Sequence, residues 1–185
     1  MAAAEDNHCR ILELPAELRN RIYRLTLSQE EQMDVTETGF EIPGVLKTCR
    51  QIRSEALAIY FYENRFRVTG ASWNSDTLFK LTSTIKSMGL DTEKMPVDGR
   101  WTLGPPSWKN LMLWLQRYHA QELQLRPSRP ASMLKIEVKD PVRYAVGSLG
   151  VIVDRSRDQS WTRVKKTLDA LRPTLIILNR RWEED

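Results

Sequence analysis

The sequence predicts an α+β fold in which two amphipathic helices near the amino terminus precede a smaller mixture of helices and strands. Apolar residues recur at three- and four-residue spacing in some stretches and alternate with polar residues in others. The two kinds of stretch follow each other without a regular strand-helix-strand repeat. We expect residues 11–68 to form one module with a closing strand. Residues 69–185 form the remainder, either as a second unit or packed with the module as one domain.

Length and composition restrict the class of protein. A chain of 185 residues is long enough to bury a hydrophobic core. Cys9 lies in a polar tail and Cys49 in an apolar helical stripe, which argues against a disulfide framework and favours a reducing compartment. Residues 1–10 are too polar for a secretory signal, and apolar runs such as residues 175–178 are far shorter than the roughly 20 residues of a membrane-spanning helix. We therefore expect an intracellular protein, cytoplasmic or nuclear.

The first two helices have the clearest periodicity. Pro15 is suited to the first turn of a helix that runs to about Leu27. Its apolar face contains Leu18, Ile22 and Leu25. The acidic residues 28–44 predict a loop, and a second helix is expected over residues 45–62. Its apolar stripe is formed by Val45, Cys49, Ile52, Ala56 and Ile59.

A strand and a third helix are predicted next. Phe66 and Val68 alternate with polar residues as in a half-buried strand. Ser75 is a candidate N-cap of the third helix, and Gly89 is a candidate for the left-handed residue that ends it. The apolar face of this helix contains Leu78, Thr82, Ile85 and Met88. Residues 90–106 contain prolines and glycines without a period, which predicts a long surface excursion.

A fourth helix is predicted to follow Ser107 and to end at the prolines of residues 127–130. Its apolar side contains Leu111, Leu115 and Tyr118, with Trp114 beside them. Residues 133–139 alternate between apolar and charged side chains, so we expect a strand with one solvated face.

The carboxyl-terminal part is expected to contain two more helices and a strand. Residues 142–153 fit both a strand and a helix, and we favour the helix. Ser160 is a candidate cap for a helix that Pro173 closes. The apolar side of that helix contains Val164, Leu168 and Leu171. Residues 174–178 then predict a final buried strand.

Three ordered blocks of sequence carry a specific pattern. They read L-P-A-E-L-R-N-R-I-Y at residues 14–23, L-K-T-C-R-Q-I-R-S-E-A at residues 46–56 and F-Y-E-N-R-F at residues 61–66. The pattern resembles the F-box, and more closely the F-box-like domains common in fungal proteins. The motif positions other than those on the apolar face of the first helix are Glu17, Arg19, Cys49, Arg50, Arg53, Glu55, Asn64 and Phe66.

The resemblance implies a protein partner. In the F-box family the first helix and its neighbour bind the Skp adaptor of cullin-RING ubiquitin ligases, and the rest of the chain holds a substrate. Carried over, the adaptor-binding residues would be Leu14, Pro15, Leu18, Ile22 and Leu25. Arg19 must then lie at the rim of the interface or pair with an acid, because burying an unpaired guanidinium is costly.

The same apolar stripe also fits packing within the molecule. In that interpretation Leu18, Ile22 and Leu25 cover the second helix. Glu17 pairs with Arg50 or Arg53, and the motif only stabilises the fold.

The residues typical of catalytic and cofactor sites are sparse. The two histidines, His8 and His119, lie far apart in the sequence, and no C-x-x-C pair, Walker loop or G-x-G-x-x-G string is present. We therefore expect a non-enzymatic protein, with no catalytic residues, metal site or cofactor.

An uneven charge distribution suggests one alternative. Residues 100–185 carry 16 basic and 9 acidic side chains, whereas residues 1–67 carry 9 and 11. Trp161 and Trp182 have basic neighbours, a combination typical of single-strand nucleic-acid binding. The alternatives to a protein-interaction module are thus nucleic-acid binding through residues 100–185 and a structural scaffold with neither activity.

Overall fold

The computed structural model describes residues 9–127 and 141–184, which form an α+β fold that is mainly helical. The helices are α1 (Ala16–Leu27), α2 (Arg50–Glu63), α3 (Asp76–Ser87), α4 (Trp108–His119), α5 (Pro141–Arg155) and α6 (Trp161–Leu178). The strands are β1 (Met33–Val35), β2 (Phe66–Ala71) and β3 (Val97–Leu103). Short 3-10 turns lie at Arg10–Glu13, Gly44–Lys47, Thr92–Lys94 and Arg180–Glu183. The predicted fold class is confirmed.

The three strands form a parallel sheet in the order β1-β2-β3. Phe66 in the central strand is in register with Met33 on one side and Val97 on the other. The chain passes through α2 between β1 and β2 and through α3 between β2 and β3. Crossovers between parallel strands are right-handed in nearly all proteins, and in this strand order that rule predicts both helices on one face of the sheet. Phe66, Val68 and Val35 are buried, whereas Asp34 and Asp98, which flank Arg67 in the register, are exposed.

This strand-helix-strand repeat is not apparent from the spacing of apolar residues in the sequence. β1 lies in the segment predicted to be a loop, residues 28–44, and β3 lies in the predicted surface excursion, residues 90–106. β1 is only three residues long, and β3 contains Gly99. Neither strand shows the alternation of apolar and polar side chains that would predict it from sequence. Both become strands because they pair with β2.

The helix boundaries confirm some predictions and correct others. α1, α3 and α5 lie where they were expected, and Gly89 takes a left-handed φ of 77° just past α3. α2 begins at Arg50 and not at Val45, because residues 44–47 form a 3-10 turn and Cys49 is extended at the N-cap. α4 ends at His119, before the prolines, where Gln121 takes a left-handed φ of 59°. The strand predicted over residues 133–139 lies outside the described residues.

The predicted break at Pro173 is wrong. α6 continues through this proline to Leu178, so residues 174–178 are helical and do not form a strand. Leu175 packs in the core, but Ile177 is 84% exposed. The burial of one side chain per turn is typical of a surface helix. The packing of Leu175 holds the helix together across Pro173, which cannot donate a backbone hydrogen bond.

One hydrophobic core connects both halves of the chain. It contains Tyr23 and Leu46 from the first 68 residues and Leu81, Leu111 and Leu168 from the later part. No helix in the described ranges is both long and apolar enough to cross a membrane.

Replacing Pro173 with alanine should stabilise the protein. The substitution restores a helical N–H and removes the clash of the proline ring with the preceding turn, for a gain of up to about 3 kcal/mol in the free energy of unfolding. Urea denaturation followed by circular dichroism measures this change. Thr174→Ala, at the next exposed position of the same helix, is the control and should change stability by less than about 1 kcal/mol. A lower urea midpoint for Pro173→Ala would contradict the continuous helix.

Candidate functional site

The residues predicted to bind a partner all retain access to solvent: Leu14, Pro15, Leu18, Ile22 and Leu25. Leu18 is 48% exposed and Leu25 is 79% exposed, and Ile22 is half-buried between them. Tyr23 and Leu27, on the opposite side of α1, are buried. We use the name α1 outer face for the surface formed by Leu18, Ile22 and Leu25. Leu18 and Leu25 do not cover α2, since their side chains face solvent.

A carboxylate on α2 holds the inner side of α1. Glu55 accepts hydrogen bonds from Arg19 Nε at 2.8 Å and Arg19 Nη2 at 2.7 Å, a bidentate ion pair. The hydroxyl of Tyr23 donates to the same carboxylate at 3.0 Å, and Gln51 Nε2 donates at 3.1 Å. Arg19 Nη1 also donates to the carbonyl of Leu14. Of the two alternatives for Arg19, a place at the rim or a pair with an acid, the structure shows the pair with an acid.

This hydrogen bonding changes the acidity of the groups involved. The guanidinium of Arg19 and then the amide of Gln51 lower the pKa of Glu55 from 4.5 to about 2. Burial, followed by the hydrogen bond to Glu55, raises the pKa of Tyr23 above 10.0. Glu55 is therefore ionised and Tyr23 protonated across the physiological range.

The predicted pairing of Glu17 with Arg50 or Arg53 is wrong. Glu17 is exposed, and Arg53 Nε donates to the carbonyl of Leu46 at 2.8 Å. This bond ties α2 to the carboxyl end of the 3-10 turn that precedes it. Arg50 is exposed at the first position of α2. Arg19 of the first motif block pairs with Glu55 of the second block, and Glu17 remains exposed at the surface.

The third motif block supplies a buried bridge. Asn64 is fully buried just after α2, and its Nδ2 donates to the carbonyls of Leu27 at 2.8 Å and Tyr60 at 2.9 Å. Its Oδ1 accepts from the backbone N–H of Gln29 at 2.6 Å. The side chain thus satisfies the carboxyl ends of α1 and α2 together. Phe66, the last residue of the block, is buried in β2.

The remaining motif residue, Cys49, caps α2. Its Sγ accepts a hydrogen bond from the backbone N–H of Ile52 at 3.5 Å, and the side chain is half-buried. The sulfur occupies the position that a serine or aspartate oxygen usually takes at an N-cap. Cys49 is half-buried because it lies at the N-cap where α2 begins, and not because it belongs to the predicted apolar stripe of the helix.

The basic carboxyl-terminal part places its tryptophans in packing positions. Trp182 is completely buried, with its ring centroid 6.4 Å from that of Trp108, and it offers no face for a base. Trp161 is half-buried, and its ring lies 5.7 Å from that of His119. Arg181 is exposed beside Trp182. The predicted combination of cation and stacking aromatic is therefore absent at Trp182.

The described residues contain no group of three His, Cys, Asp or Glu side chains arranged to hold a metal ion. His119 Nε2 lies 3.1 Å from the carbonyl of Gln159 and 3.4 Å from that of Ser156, which ties the end of α4 to the turn before α6. His8 lies outside the described residues.

Two features that bear on function have little or no signal in the sequence. The convergence of Tyr23 on Glu55 gave no signal, because it joins residues 32 positions apart. For the bridging role of Asn64, the only indication in the sequence is its place in the third motif block. Comparison with models of protein families, with curated proteins and with solved structures finds no match for this chain.

The stabilising effect of Glu55 should depend on pH. Its pKa is lower in the folded protein than in the unfolded chain, so its contribution is complete above about pH 4.5 and is lost as the pH falls towards about 2. Glu55→Gln removes this contribution. We expect its urea midpoint to fall below that of the unmodified protein at about pH 6.5, and the difference to shrink at about pH 2.5.

Glu63→Gln is the matched control for Glu55→Gln, because Glu63 pairs with Arg24 at the surface of the same two helices. An exposed pair contributes little, so this variant should differ only slightly from the unmodified protein. Equal effects of the two substitutions at neutral pH would contradict the role assigned to Glu55.

Replacing Asn64 with alanine should be strongly destabilising. The change leaves the buried carbonyl of Leu27 and the partly buried N–H of Gln29 without their partner inside the protein, and a buried group left in this way costs about 1–3 kcal/mol. Chemical denaturation should show a loss of about 2–4 kcal/mol. Asn74→Ala, which removes a single partly exposed hydrogen bond to Asp76, is the comparison and should cost less. A loss no larger than that of Asn74→Ala would refute the bridge.

Proposed function

We propose that this protein is a non-enzymatic protein-interaction module that acts inside the cell, in the cytoplasm or the nucleus, and that its α1 outer face binds a protein partner. The partner that the F-box-like pattern implies is a Skp-type adaptor of a cullin-RING ubiquitin ligase. The remainder of the chain then serves as the surface that recognises a substrate. The single observation that carries the proposal is the exposure of Leu18 and Leu25 on a helix whose inner side is already packed.

The exposed leucines support binding because they are in line. Leu18, Ile22 and Leu25 are spaced four and three residues apart, so their side chains form one stripe along α1. A stripe of this kind is the usual way in which an amphipathic helix enters an apolar groove of a partner. The most exposed member, Leu25, gains the most from being covered, because apolar burial contributes in proportion to the area removed from water.

The motif's polar residues support the same proposal indirectly. Arg19, Tyr23 and Glu55 fix the rotation of α1 about its axis, and Asn64 fixes its carboxyl end. A partner would therefore meet a rigid helix whose side chains already point outward. Such preorganisation reduces the entropy lost on binding.

Co-purification with a Skp adaptor tests the proposal. The variant carries Leu18→Asp and Leu25→Asp, which place two carboxylates on the α1 outer face and remove no buried side chain. We expect it to retain the adaptor at least about tenfold more weakly than the unmodified protein, equivalent to about 1.4 kcal/mol. Thermal denaturation confirms that the variant is folded.

Ile177→Asp is the matched control. Ile177 is 84% exposed on α6, so the control adds a carboxylate to an equally accessible apolar position of another helix. It should retain the adaptor as well as the unmodified protein does. Equal retention by the double variant, or no retention of the adaptor by the unmodified protein, would refute the adaptor-binding role.

A further inference from the structure

A small pocket lies at the carboxyl edge of the parallel sheet, away from the α1 outer face. Val35, the last residue of β1, and Leu81 of α3 are buried and line it. Phe40 and Ile42, in the loop that follows β1, are half-buried and contribute further apolar surface. The pocket lies beyond the carboxyl end of β1, between the loop that follows this strand and the first turns of α3.

The loop that borders the pocket is held in one conformation. Thr36 and Gly39 exchange two backbone hydrogen bonds, of 3.2 Å and 2.9 Å. Gly39 takes a left-handed φ of 107°, a conformation that is costly for any residue with a side chain. Phe40 packs edge-on against Phe61, with ring centroids 5.7 Å apart. The pocket is therefore formed before any ligand arrives, which lowers the cost of binding.

The pocket has an apolar interior and two opposite charges. Glu37 on the loop and Lys80 on α3 both line it, and both are exposed. They form no ion pair with each other or with any other described residue. Thr77, in the first turn of α3, lines the same pocket, and its hydroxyl makes no hydrogen bond to a described residue. A carboxylate near Lys80 and an ammonium near Glu37 would each meet the opposite charge.

The size of the pocket limits what it can hold. Its volume is about 200 Å³. A cavity of about 150 Å³ lined by aliphatic residues is large enough to bind benzene, so this pocket has room for one medium-sized apolar side chain but not for a nucleotide or a larger cofactor.

We propose that this pocket binds a free α-amino acid with an aliphatic side chain, with the side chain on Val35 and Leu81, the carboxylate towards Lys80 and the ammonium towards Glu37. This ligand carries both charges on one carbon atom and has a body of the size that the pocket accepts. The site goes beyond the protein-binding function and does not depend on it.

Titration of the isotopically labelled protein with L-leucine, followed by amide NMR shifts, tests the proposal. We expect saturable shifts at Val35, Phe40 and Leu81. Two probes of the same aliphatic body each lack one charge: 4-methylpentanoic acid lacks the ammonium, and 3-methylbutylamine lacks the carboxylate. Each should bind about threefold more weakly than L-leucine, as expected for the loss of one exposed charge pair.

Two exposed lysine variants complete the experiment. Lys80→Gln should weaken the binding of L-leucine about threefold, whereas Lys166→Gln, on the exposed surface of α6, should leave it unchanged. The proposal is overturned by the absence of saturable shifts at these amides up to about 20 mM L-leucine. It is equally overturned if either single-charge probe binds as tightly as L-leucine, or if the two lysine variants bind alike.

Discussion

The carboxylate of Glu55 determines how the amino-terminal helices meet. It receives hydrogen bonds from Arg19 and Tyr23, which lie on one side of α1. Because these two side chains must point towards α2, Leu18 and Leu25, on the other side of the helix, must point away from it. The open apolar stripe and the partly buried ion pair of Arg19 and Glu55 are therefore two results of the same rotation of α1. A single acid on α2 controls both the packing of the motif and the surface that it presents.

The parallel sheet connects this helix pair to the rest of the molecule. β2 begins two residues after Asn64 and pairs with β1 on one side and β3 on the other, so residues on both sides of position 68 contribute to one sheet. The same topology brings the loop after β1 beside the first turns of α3. The pocket at the carboxyl edge exists because of that arrangement. Its lining residues come from segments about 40 positions apart, and no local pattern would have grouped them.

The sequence predicts an element correctly where its signal comes from neighbouring residues, and fails where the element depends on distant ones. α1, α3 and α5 were placed well, because an amphipathic helix repeats its signal every turn. β1 and β3 lack a predictive pattern, since these edge strands owe their conformation to pairing with a distant partner. Pro173 predicts a helix end, yet the core contact of Leu175 keeps α6 intact beyond it. The interpretation in which the motif packs within the molecule pairs Glu17 with Arg50 or Arg53, whereas the structure gives Arg53 a backbone carbonyl.

The sequence by itself determined that the chain has two amphipathic helices near its amino terminus, that Arg19 lies at a rim or pairs with an acid, and that the fold mixes helices with strands. These properties follow from spacing and from the cost of burying charge, which act over a few residues. Only the tertiary structure decided that the acid is Glu55, that Leu18 and Leu25 face solvent, and that Trp182 is sealed in the core. Each of those outcomes depends on which distant segments meet in the fold, and the spacing of residues along the chain does not encode that.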